Sequence, residues 1–159
     1  NLENYRKQIS VVLQDVFLFA DSIFYNITLG DENITLEQVK EAAKEIGIHD
    51  FIEQLPNGYL FDVKERGAVL SAGQRQLISF LRAYVHKPKI LILDEATSSL
   101  DILTEKKIVD NLMALDKTLI FIAHRLTIAE RTEHVVVLKQ GTHQDLLDQG
   151  GFYAHLIKS

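Results

Sequence analysis

A chain of 159 residues, 47% hydrophobic and 25% charged, has room for one core domain, or a core with a small subdomain, and falls in the range of ordinary globular proteins. Its formal charge of −5, with no Lys/Arg block, argues against a nucleic-acid partner, and the absence of cysteine excludes a disulfide framework or a thiolate metal site. No apolar run reaches the roughly 20 residues of a membrane span and no signal peptide opens the chain, so the polypeptide is expected to be soluble and cytoplasmic.

Gln8 to Leu13 predicts a buried β segment ending at Gln14-Asp15. The aromatic-rich stretch from Val16 to Ile27 is expected to be irregular, and Gly30-Asp31-Glu32-Asn33 breaks it. Thr35, with Gln38 three residues on, forms a capping-box pattern at a helix start. Val39, Ala42, Ala43 and Ile46 then keep a helical period that Gly47 ends. A second helix over 48–55 stops at Pro56-Asn57-Gly58. Leu77, Ile78, Leu81 and Val85 predict a helix over 74–85, closed by Lys87-Pro88. Ile90-Leu91-Ile92-Leu93 is a short, continuous aliphatic run, the pattern of a strand buried on both faces of a parallel sheet. A polar helix over 102–114, strands over 118–123 and 135–138, and helical pieces over 144–147 and 152–157 complete the chain. Strands alternating with helices predict an α/β fold with a mostly parallel sheet. The stretch 31–86 carries no strand signal and reads as an inserted α-helical subdomain between core segments 1–30 and 87–159.

Four features carry chemistry. Asp94 and Glu95 stand at the carboxyl end of the aliphatic run, the edge where open α/β sheets bind ligands. Two adjacent carboxylates at the rim of a core destabilise it unless a cation or ligand uses them, and the Mg²⁺ of a nucleotide with a water awaiting activation would do so. Gln14 follows a strand, where its amide could reach both a metal and a water. Leu70-Ser71-Ala72-Gly73-Gln74 immediately precedes a helix, so its hydroxyl and amides would point at an anion, aided by the helix dipole. His124 ends the TLIFIA strand at the same sheet edge. Taken singly, each has a plain reading: a carboxylate capping a turn, a hydrogen-bonded strand-end histidine, a structural glutamine. Phe17, Phe19 and Phe24 are equally readable as core or as partner-facing.

Together these motifs resemble those of ATP-binding-cassette (ABC) ATPases. LSAGQ is similar to the LSGGQ signature, LILDEATSSLD to the Walker B segment and D-loop, IAHRLT to the His switch and VVLQ to the Q-loop. The similarity extends over essentially the whole chain. It favours exporter-type cassettes, in which a segment like VFLFADSIFYNI receives a transmembrane domain and one like Glu65-Arg66-Gly67 forms a contact loop. The resemblance implies a P-loop NTPase-like core, ATP and Mg²⁺ as cofactors, and catalytic roles for Glu95 (orienting or deprotonating water) and His124 (contacting the γ-phosphate). It implies that Asp94 and Gln14 bind metal. Leu70, Ser71, Ala72, Gly73, Gln74 and Asp101 would serve the nucleotide of a second cassette in a head-to-tail dimer. The implied function is ATP-driven export, performed as a peripheral domain at the cytoplasmic face of the membrane. Two rivals are a soluble ABC ATPase that moves no solute and a non-hydrolysing regulatory cassette.

The sequence departs from that pattern in three places. No G-x-x-x-x-G-K-[ST] phosphate loop occurs, so the N-terminal β part carrying it and the adenine-stacking aromatic is expected to be absent, and the fragment alone to be inactive. At Leu138-Lys139-Gln140-Gly141 a short β-hairpin is missing. Ala72 replaces the first signature glycine, which is acceptable only if its φ stays negative; signature function is expected to be reduced and not abolished.

Overall fold

Three aliphatic runs form strands: β1 (Ile9–Val12), β2 (Ile90–Asp94) and β3 (Thr118–Ile122). They build one parallel sheet in the order β1-β2-β3, with Ile9 opposite Ile90 and Ile90 opposite Thr118. The structure, a computed structural model, describes residues 5–6, 8–123, 126–136, 148 and 151. Parallel strands cannot be joined by tight turns, so helical excursions separate them. The excursion from β1 to β2 contains α1 (Ile23–Thr28), α2 (Leu36–Glu45), α3 (His49–Glu53), two single 3₁₀ turns (Gly58–Leu60, Glu65–Gly67) and α4 (Ala72–Tyr84). The helix α5 (Ile102–Met113) connects β2 to β3.

The helix starts follow local chemistry. Thr35 Oγ1 accepts the Gln38 amide at 3.3 Å while Gln38 Oε1 accepts the Thr35 amide at 2.8 Å, a closed capping box. Ser71 and Gln74 repeat the device at α4, at 3.1 and 2.9 Å. Each box satisfies two helix-end donors, and such a cap contributes about 1 kcal/mol.

Four stretches differ from the sequence reading, the first being α4, which begins at Ala72, two residues ahead of its expected start and inside the segment expected to precede it. The aromatic stretch contains α1, too short to show a period; Ser22 Oγ caps it by accepting the Tyr25 amide. Moreover, β2 is fully covered on one face only: Leu91 and Leu93 are buried, whereas Ile90 and Ile92 are half-buried. Ile120 and Ile122 of β3 and Val11 of β1 are largely exposed. The strand predicted over 135–138 lies partly outside the described residues, and Val135 and Val136 are irregular; the pieces predicted over 144–147 and 152–157 fall essentially outside them.

The buried cluster joins the covered sheet face (Val12, Leu91, Leu93) to Leu77, Ile78, Phe80 and Leu81 of α4, Ile23 and Ile27 of α1, and Val39, Ala42 and Ala43 of α2. The α4 helix packs against β1, α1 and α2, and so links the sheet to the helical region. At its far end, Tyr84 Oη donates to Glu45 Oε2 at 2.5 Å and Lys87 Nζ donates to Glu45 Oε1 at 3.1 Å, pinning the end of α2. By its contacts the chain divides into Asn1–His124, described so far, and Arg125–Ser159, where α6 (Leu126–Ala129) ends in a turn with Thr132 Oγ1 bonded to Ala129 O at 2.9 Å. No described helix is long and apolar enough to cross a membrane.

Gly47 is where α2 ends and the chain meets α5. Its φ is +79°, and an added Cβ would collide with the Asn111 side-chain amide. Gly47→Ala combines left-handed strain with this overlap and should cost about 1–3 kcal/mol. Chemical denaturation of the two proteins checks it; a difference below about 0.5 kcal/mol would contradict the close approach.

Candidate functional site

Because the three strands run parallel, their carboxyl ends emerge at one edge of the sheet. β1 leaves its last paired position, Val12 opposite Leu93, and runs through Leu13 to an exposed Gln14. β2 ends at a half-buried Asp94, paired with Ile122. Glu95 follows with its N–H donating to Ile122 O at 2.8 Å, which carries the β2–β3 bonding one residue past the strand. Its φ is +47°, in the left-handed region that non-glycine residues seldom occupy. Such conformations persist where surrounding bonds impose them, and they cluster at functional sites. Here the Ile122 bond and the Ser98 amide donating to Glu95 O at 3.1 Å hold it. Gln14, Asp94 and Glu95 are therefore gathered at one edge. His124, the fourth predicted member, lies outside the described residues.

No group of three or more His, Asp or Glu among the described residues could cage a metal unaided. One carboxylate and one amide oxygen at an edge instead suit Mg²⁺, which is usually held by one or two protein oxygens and completed by waters and substrate phosphates.

The signature residues occupy a different place. Ser71, Ala72, Gly73 and Gln74 line a groove of about 610 Å³ together with Ser99, Leu100, Asp101, Thr104 and Lys107. None of Gln14, Asp94 and Glu95 lines it. The capping box engages Ser71 and Gln74, but Ser71 Oγ only accepts there, and its O–H can still donate. The amides of Ala72 and Gly73 take no bond within the first turn and face out of the helix start, where the dipole favours an anion. Leu70 is buried and anchors the turn, and its carbonyl accepts from Arg75 Nη1 at 2.7 Å. Gly73 admits the D-loop: a Cβ built on it would lie 3.1 Å from Ser99 O. Ala72 is the first helical residue and has no left-handed φ, so its methyl group fits the backbone.

Asp101 caps α5, its Oδ1 accepting the Leu103 and Thr104 amides at 3.1 and 3.0 Å. The Thr104 hydroxyl first, then the Thr104 and Leu103 amides, hold its carboxyl below the ordinary value of 3.8. Beside it, Ile102 and Leu103 are 77% and 80% exposed.

A third feature is an aromatic surface. Phe17 and Phe19 meet edge to face at 5.1 Å, and Phe19 meets Tyr25 likewise at 6.2 Å; all three are exposed, while Leu18 between them is buried. Phe24 packs against the core, which resolves the even choice for these rings. Asn26, fully buried, shapes this segment: its Oδ1 accepts the Phe19 amide at 2.8 Å and its Nδ2 donates to Phe19 O and Ser22 O, each at 3.0 Å. The Glu65–Gly67 turn lies behind it, where a Cβ on Gly67 would come within 2.9 Å of Leu18 and 2.8 Å of Arg75.

Sequence reasoning missed Asn26, Gln76 and Arg82. Gln76 is buried and its Nε2 donates to Leu13 O at 3.2 Å. Arg82 donates to Asn26 O at 2.7 Å, to Phe17 O at 3.1 Å and to Asn26 Oδ1 at 3.4 Å. For Gln76 and Arg82 the available signal was a polar residue within a predicted helix, and their partners, more than fifty residues away, had none; Asn26 sits in a stretch without periodicity, and nothing marked it.

The model of the ABC transporter family matches residues 1–98. The transport/processing ATP-binding protein ComA of Streptococcus pneumoniae serotype 4 is 54% identical over 97% of this chain, which spans 22% of that protein. The mitochondrial iron-sulfur clusters transporter ABCB7 of Oryzias latipes is 45% identical over 98% of the chain, again 22% of the relative. A solved bacterial Atm1-family ABC exporter with ATP bound superimposes on 98% of the chain with a TM-score of 0.82 at 40% identity, the chain spanning 29% of it. The mixed α/β fold with its parallel sheet is thus the P-loop NTPase-like fold of that exporter's nucleotide-binding region. The chain covers less than a third of each of these relatives.

Capping by Asp101 gives a direct test. Asp101→Ala should melt at a lower temperature than Asp101→Asn, which keeps an oxygen for the same amides. Because the folded carboxyl titrates below 3.8, its contribution is full above that pH and fades as pH falls through the depressed value, so wild type and Asp101→Ala converge in acid. Equal melting of the Ala and Asn variants at neutral pH would contradict the cap.

Proposed function

The chain belongs to the ABC transporter family, and we propose that it is the ATP-binding and ATP-hydrolysing cassette of an exporter, working at the cytoplasmic face of a membrane. The observation that carries this reading is the separation of two half-sites: Gln14, Asp94 and Glu95 at the sheet edge, and the signature amides with Asp101 in a groove those residues do not line. A nucleotide held at the edge of one copy would be completed by the groove of another, in a head-to-tail dimer. The exposed Ile102 and Leu103 beside Asp101 suit burial in that interface. In this reading 1–30 and 87–159 are core segments and 31–86 is a helical subdomain bearing the signature.

Phosphoryl transfer asks the protein for placement and charge neutralisation more than for covalent chemistry. Asp94 and Gln14 would hold Mg²⁺, which, when bound, neutralises charge on the phosphates. Glu95, its backbone fixed by the Ile122 bond, would orient the attacking water and accept its proton. Ser71 Oγ–H and the Ala72 and Gly73 amides would donate to the γ-phosphate of the partner copy's ATP, and Gln74 keeps that turn in shape. His124 would contact the γ-phosphate of the ATP held by its own copy. The Phe17, Phe19 and Tyr25 surface is the docking place for a transmembrane partner, because three exposed rings on a buried polar scaffold are otherwise costly to hydrate.

In the intact transporter carrying this cassette, Glu95→Gln should bind ATP as wild type does and turn it over about a hundredfold or more slower. Unchanged turnover in a phosphate-release assay removes Glu95 from its role. The isolated 159-residue chain, whose sequence has no phosphate loop, should bind Mg-ATP only weakly in calorimetry, and micromolar binding would contradict that.

A further inference from the structure

Two side chains of α4 reach across to the segment that carries Gln14 and the aromatic surface. Gln76, 1% exposed, donates to Leu13 O, the carbonyl immediately before Gln14. Six residues on, Arg82 donates to Phe17 O and Asn26 O and touches Asn26 Oδ1. All of these acceptors lie between residues 13 and 26, and most are main-chain oxygens, so the contacts fix the path of the backbone whatever its side chains are. Among the described residues Arg82 forms no ion pair with a carboxylate; its guanidinium is engaged with main-chain and amide oxygens. A partly buried guanidinium without a carboxylate is costly unless geometry gives it several acceptors at once, and the planar fork of arginine supplies that by spreading its donors over three nitrogens, where a lysine has a single donor nitrogen. Asn26 extends the grip, since the oxygen that Arg82 touches also accepts the Phe19 amide.

We propose that Gln76 and Arg82 are positioning residues that bind the signature helix to the 13–26 segment at both ends, so that α4 and the aromatic surface shift as one body. This rests on the cassette reading above. Neither residue lines the groove or stands at the sheet edge, so neither touches the nucleotide. A displacement imposed on Phe17, Phe19 and Tyr25 by a membrane partner is passed to α4 through these bonds, and closure of the groove on a phosphate is passed back. With the ties cut, the two ends of the path would still fold and would no longer report on each other.

The test is amide hydrogen exchange on the intact transporter, with and without Mg-ATP, for wild type, Gln76→Ala, Arg82→Gln and Arg82→Lys. In wild type, Mg-ATP should protect the first turn of α4 and the 17–26 amides together. In Arg82→Gln the α4 response should persist while 17–26 loses its dependence on nucleotide, and the Phe19 amide should exchange about five- to tenfold faster. Gln76→Ala should uncouple residues 13–16 in the same way, and the KM for Mg-ATP should stay within about twofold in both variants. Arg82→Lys, which keeps the charge but has a single donor nitrogen, should restore part of the coupling and serves if Arg82→Gln does not fold. A wild-type response at 17–26 in all variants, or loss of the α4 response along with it, overturns the tie while leaving the cassette reading intact. A wild-type protein whose α4 ignores Mg-ATP overturns the cassette reading, and this inference with it.

Discussion

Everything in the site follows from the pairing of β2 between β1 and β3, all parallel. Parallel bonding brings the carboxyl ends of three strands to one edge and obliges the chain to return through helices. Gln14, Asp94 and Glu95 are distant in sequence or differ in type, yet they share an edge because their strands share a direction. The Glu95 amide bonded to Ile122 prolongs this constraint past the end of the strand, holding a left-handed backbone at Glu95.

The helix α4 is the second organising element. Its start presents amides to the groove, its apolar side enters the core against β1, α1 and α2, and two of its polar side chains grip the 13–26 backbone. One helix therefore touches the groove, the segment leading to Gln14 and the aromatic surface. The close approach of Ser99 O to Gly73 adds the D-loop to that set and accounts for a glycine there, although its φ is unremarkable for any residue.

The capping box at Thr35/Gln38, the helical period of α2 and α4 and the strand preceding Asp94 were legible because each depends on residues within a few positions of one another; the matching box at Ser71/Gln74 emerged only with the structure. The six-residue α1 was not: it is shorter than two turns, and what stabilises it is Asn26 buried beneath the aromatic segment, with Arg82 reaching in from α4. The expectation that β2 is buried on both faces failed for a related reason. An aliphatic run states that a strand is apolar, and how much of each face is covered depends on what packs there; Leu91 and Leu93 are covered, Ile90 and Ile92 only partly. The choice between core and surface for Phe17, Phe19 and Phe24 likewise turned on which way a non-periodic backbone faces.

The amino-acid order by itself determined the three strands of the sheet, the longer helices, the Thr35 cap and the chemical identity of the edge and signature residues, since these are short-range matters of periodicity, turn chemistry and functional groups. Only the tertiary structure decided that Asp101 joins the signature in one groove apart from Gln14, Asp94 and Glu95, that three rings stand exposed together, and that Gln76 and Arg82 hold a segment more than fifty residues away. Those are meetings between parts of the chain that carry no local record of each other; the packing of α4 against β1 and α1 brings them about, because it sets Gln76 and Arg82 against oxygens of the 13–26 segment.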